Sequence, residues 1–212
     1  CLPKYYGIKN FGQPDLTDFN DTKQINLSFN GILRDYQKKV VDIVIPKIKN
    51  QEGGTISLPP GRGKTVIACN IISELKTKTL VVVHKTFLLN QWKNRIEYFL
   101  PNSKVGIIQG KNIDVDDKDI VIGMLQTLSL KDDYPDDIFD DFGCIIFDEC
   151  HHLSAEKFSQ ILKKISLRYM IGLSGTPFRN DKLEKVFDYH IGEIMYYEKP
   201  QVNQDILVEI HK

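Results

Sequence analysis

The chain has 212 residues, 42% of them hydrophobic and 26% charged, which supports an α/β-sized domain with a buried core and excludes a chain disordered throughout. Lys and Arg number 28 and so do Asp and Glu, so no global basic charge marks a nucleic-acid binder. No apolar run approaches the about 18 residues of a membrane span and no signal-peptide pattern opens the chain, which points to an intracellular protein with no membrane partner and leaves nucleus, cytoplasm and virion undistinguished.

The chain opens on Cys1 rather than Met and so reads as a piece of a longer protein. Residues 1–31 are aromatic and polar without a clear period, although Ile25–Phe29 alternates as a short strand does. Leu33, Tyr36, Val40, Val44 and Ile48 then recur at helical spacing, with Pro46 predicting a kink or an early stop. After Gly53-Gly54, short apolar runs alternate with helical stretches. The runs are 55–58, 79–83, 104–108, 119–123, 143–147 and 169–173, separated by patterns such as 66–75 and 87–99. Runs apolar throughout are strands buried on both faces, so the fold class is α/β with a largely parallel sheet flanked by helices. Cys69 and Cys144 fall inside these runs as small buried hydrophobes, in an intracellular cysteine pattern.

Ligands of such sheets bind at the carboxyl ends of the strands. The first run ends in Leu58-Pro59-Pro60-Gly61-Arg62-Gly63-Lys64-Thr65, a glycine-rich turn entering a helix. Backbone amides there point at an anion, Lys64 suits β- and γ-phosphates, and the Thr65 hydroxyl suits Mg²⁺. Leu58 stands where the general phosphate-loop pattern has glycine. The fifth run ends in Asp148-Glu149-Cys150-His151-His152. A carboxylate closing a buried strand suits Mg²⁺, held through water, and Glu149 suits the base that orients and deprotonates the attacking water. A zinc site is the rival reading, but adjacent ligands do not match structural zinc spacings. The sixth run ends in Leu173-Ser174-Gly175-Thr176-Pro177.

Charge is segregated along the chain. Between Lys76 and Lys111 seven Lys and Arg face the single acid Glu97; between Asp114 and Asp141 ten Asp face Lys118 and Lys131. The Asp-rich stretches 114–119 and 132–141 read as solvated turns. Trp92 and Phe99 share a helical face with Leu88 and Ile96 and read as core rather than base-stacking residues.

Together GRGKT, DECH and SGTP resemble motifs I, II and III of superfamily-two DExH helicases, and Leu33-Arg34-Asp35-Tyr36-Gln37 resembles their adenine-reading motif. The likeness runs from Leu33 to Arg179 and is nearest the XPB-like and viral branch. It implies a RecA-like P-loop domain over 32–198, an accessory segment at 1–31, and at 199–212 a linker or the start of a second RecA-like domain that would be the intramolecular partner. It implies ATP and Mg²⁺ as cofactors. Residues 58–65 with Arg34 and Gln37 would hold ATP, Gln37 offering the donor and acceptor that an adenine edge requires. Lys64, Asp148 and Glu149 would be catalytic, Thr65 and Asp148 would hold Mg²⁺, and His151, Ser174 and Thr176 would couple hydrolysis to movement. Nucleic acid, DNA ahead of RNA, would meet His84, Lys85, Gln91, Gly110, Gln126 and Thr127, some of them in the basic third. The implied function is an ATP-driven helicase motor, with a duplex-DNA translocase and an ATP-switched nucleic-acid sensor as alternatives.

Overall fold

The computed structural model describes residues 2–13, 22–51, 53–130, 134–135, 137–150, 155–165, 167–175 and 184–199. The six apolar runs become six strands: β1 (Gly53–Ser57), β2 (Thr79–Val83), β3 (Val105–Gln109), β5 (Ile120–Met124), β6 (Cys144–Phe147) and β7 (Tyr169–Ser174). Two further strands complete the sheet among the described residues, β4 (Asn112–Ile113) and β8 (Ile194–Tyr197). The order is β4-β3-β5-β2-β6-β7-β1-β8, parallel throughout except for the β3–β4 hairpin.

Seven helices are described: α1 (Lys4–Phe11), α2 (Asp35–Gln51), α3 (Lys64–Leu75), α4 (Thr86–Phe99), α5 (Leu125–Leu130), α6 (Ala155–Lys164) and α7 (Glu184–His190). Alternate residues of each strand face opposite layers, which is why the runs are largely apolar without alternation. Val81, Val83, Ile122, Ile146 and Ile171 pack against Val40, Val44 and Ile48 of α2, Ile67 and Ile71 of α3, and Leu89, Trp92 and Ile96 of α4. Leu80, Val82, Val121, Ile145 and Phe147 pack on the other side against Leu128 of α5, Phe158 and Ile161 of α6, and Phe187 of α7.

Three expectations change. Pro46 neither stops nor shortens α2, which runs on to Gln51. Pro46 is exposed while Val44 and Ile48 are fully buried, so the carbonyl that loses its amide partner lies on the solvent side and the packed stripe is undisturbed. Residues 25–29 form no strand. Only Gln24 makes a bridge, to Thr77, and Phe29 stacks on Phe99 at 5.4 Å. The acidic stretches are not simply solvated: Asp117 and Asp119 pair with Lys23, and Asp141 accepts from the buried Lys78 at 2.8 Å.

Candidate functional site

Because β7 lies between β6 and β1, the three motif-bearing loops leave adjacent strands at one edge of the sheet. They open onto a cleft of about 540 Å³ lined by Pro60, Gly61, Gly63, Lys64, Thr65, Asp148 and Glu149 on the loop side. Ile32, Arg34, Tyr36 and Gln37 close one flank, and Leu88, Gln91, Arg95 and Phe99 of α4 form another wall.

Gly63 caps α3 at φ 74°, in the left-handed region, and a Cβ there would collide with the Gln37 amide. The loop therefore needs glycine both for its turn and for its contact with the first turn of α2. The first amides of α3 have no acceptor within their own helix and so can serve an anion in the cleft. Leu58, the departure from the general pattern, is accommodated. Its side chain is fully buried, its amide donates to the Ser174 carbonyl at 2.9 Å, and its own carbonyl accepts from Lys64 Nζ at 3.4 Å. Only the backbone of residue 58 faces the site.

Lys64 Nζ lies 3.1 Å from Glu149 Oε1, and Glu149 Oε2 accepts from the Gly175 amide at 3.2 Å. Glu149 holds φ 49°, a conformation that L-residues seldom adopt outside sites that require it. Asp148 is buried, and its Oδ2 accepts from the Trp92 indole at 2.8 Å. Burial pushes the Asp148 carboxyl above its ordinary value; the Trp92 hydrogen bond and Lys64 oppose that shift, and Glu149 adds to it. The donor set that Asp148 and the Thr65 hydroxyl offer is hard oxygen beside a phosphate cradle, which fits Mg²⁺.

Gln37 is buried, with Oε1 accepting from the Arg34 amide at 3.0 Å and Nε2 donating to the Arg62 carbonyl at 3.4 Å. Arg62 is not among the residues lining the cleft. Its guanidinium lies 3.7 Å from the Tyr36 ring centre and pairs with Glu198 at 2.6 Å. Ser174 is buried at the end of β7, whereas His151 and Thr176 lie outside the described residues.

The residues expected at nucleic acid fall on the neighbouring strand ends, β3, β5 and β2, which are again adjacent. The Gly110 amide donates to Thr127 Oγ1 at 2.9 Å, and Gln126 Nε2 donates to the His84 carbonyl at 3.0 Å, so the three loops are knitted together. Lys85 is exposed at the start of α4. Gln91, exposed on α4, lines both the cleft described above and a shallow groove with Phe87, Asn90 and Tyr98 on the outer face of that helix. Ile32, Arg95, Phe99 and the Trp92–Asp148 contact are the cleft features that motif spacing did not reveal. Arg95, Phe99 and Trp92 come from α4 and Ile32 from the coil ahead of α2, so chain proximity to the motifs carries no signal.

Residues 30–179 match the family described as the type III restriction enzyme res subunit. The chain belongs to this family. It is 38% identical over 210 residues to a candidate ATP-dependent RNA helicase, L396, of Acanthamoeba polyphaga mimivirus, covering 98% of this chain and 40% of that protein. It is 35% identical over 169 residues to the DNA 3'-5' translocase XPB2 of Sulfurisphaera tokodaii, covering 77% of this chain and 35% of that protein. Among solved structures, the UvsW helicase of bacteriophage T4 superposes with a TM-score of 0.66 at 23% identity, over 82% of this chain and 64% of that one. The chain is thus a first RecA-like domain of the superfamily-two helicase type, and it spans about one third to two fifths of the curated relatives it matches. Among the described residues no helix is long and apolar enough to cross a membrane.

Proposed function

We propose that residues 32–198 form the Mg·ATP-binding half of a nucleic-acid motor, and that hydrolysis at this cleft drives movement along, or separation of, nucleic-acid strands. The observation that carries the reading is the meeting of Lys64, Asp148 and Glu149 beyond the ends of β1 and β6, on either side of β7, beside the glycine turn and the first amides of α3. Lys64 would hold the β- and γ-phosphates in place of its present partner Glu149, freeing that carboxylate to take a proton from the attacking water. Thr65 and Asp148 would hold Mg²⁺, which neutralises charge on the phosphates when bound. Gln37 would read the adenine edge, with Arg34 beside it. His151, Ser174 and Thr176 would couple the phosphate site to movement.

Nucleic acid would lie across His84, Lys85, Gly110, Gln126 and Thr127, where the Lys85 ammonium, the Thr127 hydroxyl and the second N–H of the Gln126 amide suit phosphates rather than bases. DNA is the substrate we favour, supported by the relative named a DNA translocase; the mimivirus relative is named for RNA. A second RecA-like domain of the same polypeptide would supply the opposite wall of the cleft. The test is steady-state ATPase of a protein spanning the relatives' full length, measured against single- and double-stranded DNA and RNA. Stimulation by DNA above RNA supports the reading; stimulation by RNA alone removes the DNA assignment, and turnover indifferent to every nucleic acid removes the motor.

A further inference from the structure

We infer that Trp92 is a positioning residue for Asp148, fastening helix α4 to the carboxylate that would hold Mg²⁺; this rests on the Mg·ATP reading above. Trp92 is the only tryptophan of the chain and is 1% exposed. Packing alone would ask for its ring and nothing more. Yet its single polar atom, an indole nitrogen that can only donate, meets Asp148 Oδ2 at 2.8 Å. Asp148 is itself only 5% exposed and stands just past the end of β6, its amide bound to the Val82 carbonyl at 3.0 Å. Its backbone is therefore set by the sheet, and the direction of its carboxylate by the indole.

The consequence is geometric. With one oxygen tied to Trp92, the carboxylate holds one rotamer and presents the same face to the cleft before any metal arrives. The donor comes from α4, whose Gln91, Arg95 and Phe99 line the same cleft, so one helix both walls the nucleotide space and aims the acid within it. A phenylalanine would fill most of the volume and supply no donor. Partners that orient metal ligands in this way are commonly worth roughly 10–100-fold in metal affinity.

The experiment titrates ATP into wild-type protein and Trp92→Phe, first in EDTA and then in excess Mg²⁺. Affinity in EDTA should stay within about twofold, while the gain conferred by Mg²⁺ falls by about tenfold or more. An undiminished Mg²⁺ gain overturns the inference, and so does an equal loss in both conditions, which would make Trp92 packing only. A second arm needs no tryptophan variant. The emission of the single indole should change when Mg²⁺ is added to the ATP-bound wild type, and the same addition to Asp148→Asn should change nothing. Unaltered emission in the wild type, or an equal change in Asp148→Asn, overturns the inference. Wild-type protein that binds no ATP under either condition would overturn the ATP reading and this inference together, whereas an intact Mg²⁺ gain in Trp92→Phe removes this inference alone.

Discussion

The Lys64 ammonium and the Glu149 carboxylate face each other at 3.1 Å across the floor of the cleft, with Lys64 almost wholly enclosed and Glu149 about one quarter exposed. Each is the other's counter-charge. In the proposed ATP site, binding would exchange this ion pair for a lysine–phosphate contact and release a carboxylate that the Gly175 amide would continue to orient.

Glu149→Gln separates these roles. The amide keeps the shape and an acceptor for Gly175, and Asp148 and Thr65 remain, so Mg·ATP binding should persist. Hydrolysis should slow by roughly 10²-fold or more, the usual cost of losing a general base. Single-turnover kinetics beside equilibrium binding checks this, and a parallel fall in both would make Glu149 a binding residue rather than a base.

Gln37→Ala tests the adenine reader. Gln37 is buried and bound on both sides, to the Arg34 amide and the Arg62 carbonyl, so its orientation is fixed before the base arrives. Its loss should weaken ATP more than GTP, because a site built around specific hydrogen bonds discriminates by leaving partners unpaired. Competition binding with both nucleotides decides it: equal losses would reduce Gln37 to a strut of the phosphate loop.

Asp148 carries a pH prediction for the metal-free protein. Burial raises its carboxyl above the ordinary value of about 3.9. A carboxyl raised on folding binds its proton more tightly in the folded state, so stability is lost as pH rises from the ordinary carboxylate range through the folded value, and stays lost above it. Asp148→Asn removes that penalty and keeps an acceptor for Trp92. In EDTA at neutral pH it should melt higher than wild type, with the difference vanishing below the ordinary carboxylate pKa. Identical melts at neutral pH would mean that the Trp92 and Lys64 interactions already offset the burial.

Most of the central strands were legible because a strand buried on both faces leaves an almost unbroken apolar run, as at 120–124 and 144–147; β3, only partly buried, was legible from Val105, Ile107 and Ile108. The phosphate loop, the Asp148–Glu149 pair and Gln37 were legible because their chemistry is local in sequence. β8 was not: Ile194–Tyr197 is a run of only four residues, and at the sheet edge only Met195 of it is buried. The course of α2 past Pro46 depends on which side of the helix meets solvent, a tertiary fact. Trp92 was legible as core, but its bond to Asp148 joins residues 56 positions apart through a sheet order that spacing does not encode. The motif resemblance groups Gln91 with the β2 loop, and spacing alone does not show that the same side chain also borders the cleft.

The central claim is that this cleft is a Mg·ATP site in which Lys64 meets the phosphates. Calorimetric titration of ATP in Mg²⁺ into wild-type protein and Lys64→Ala tests it most directly. One site per chain is predicted in the wild type, and removing a charge-assisted contact worth about 1.5–3 kcal/mol should weaken it by roughly 10- to 150-fold. Equal affinity for ATP in the two proteins would contradict the account.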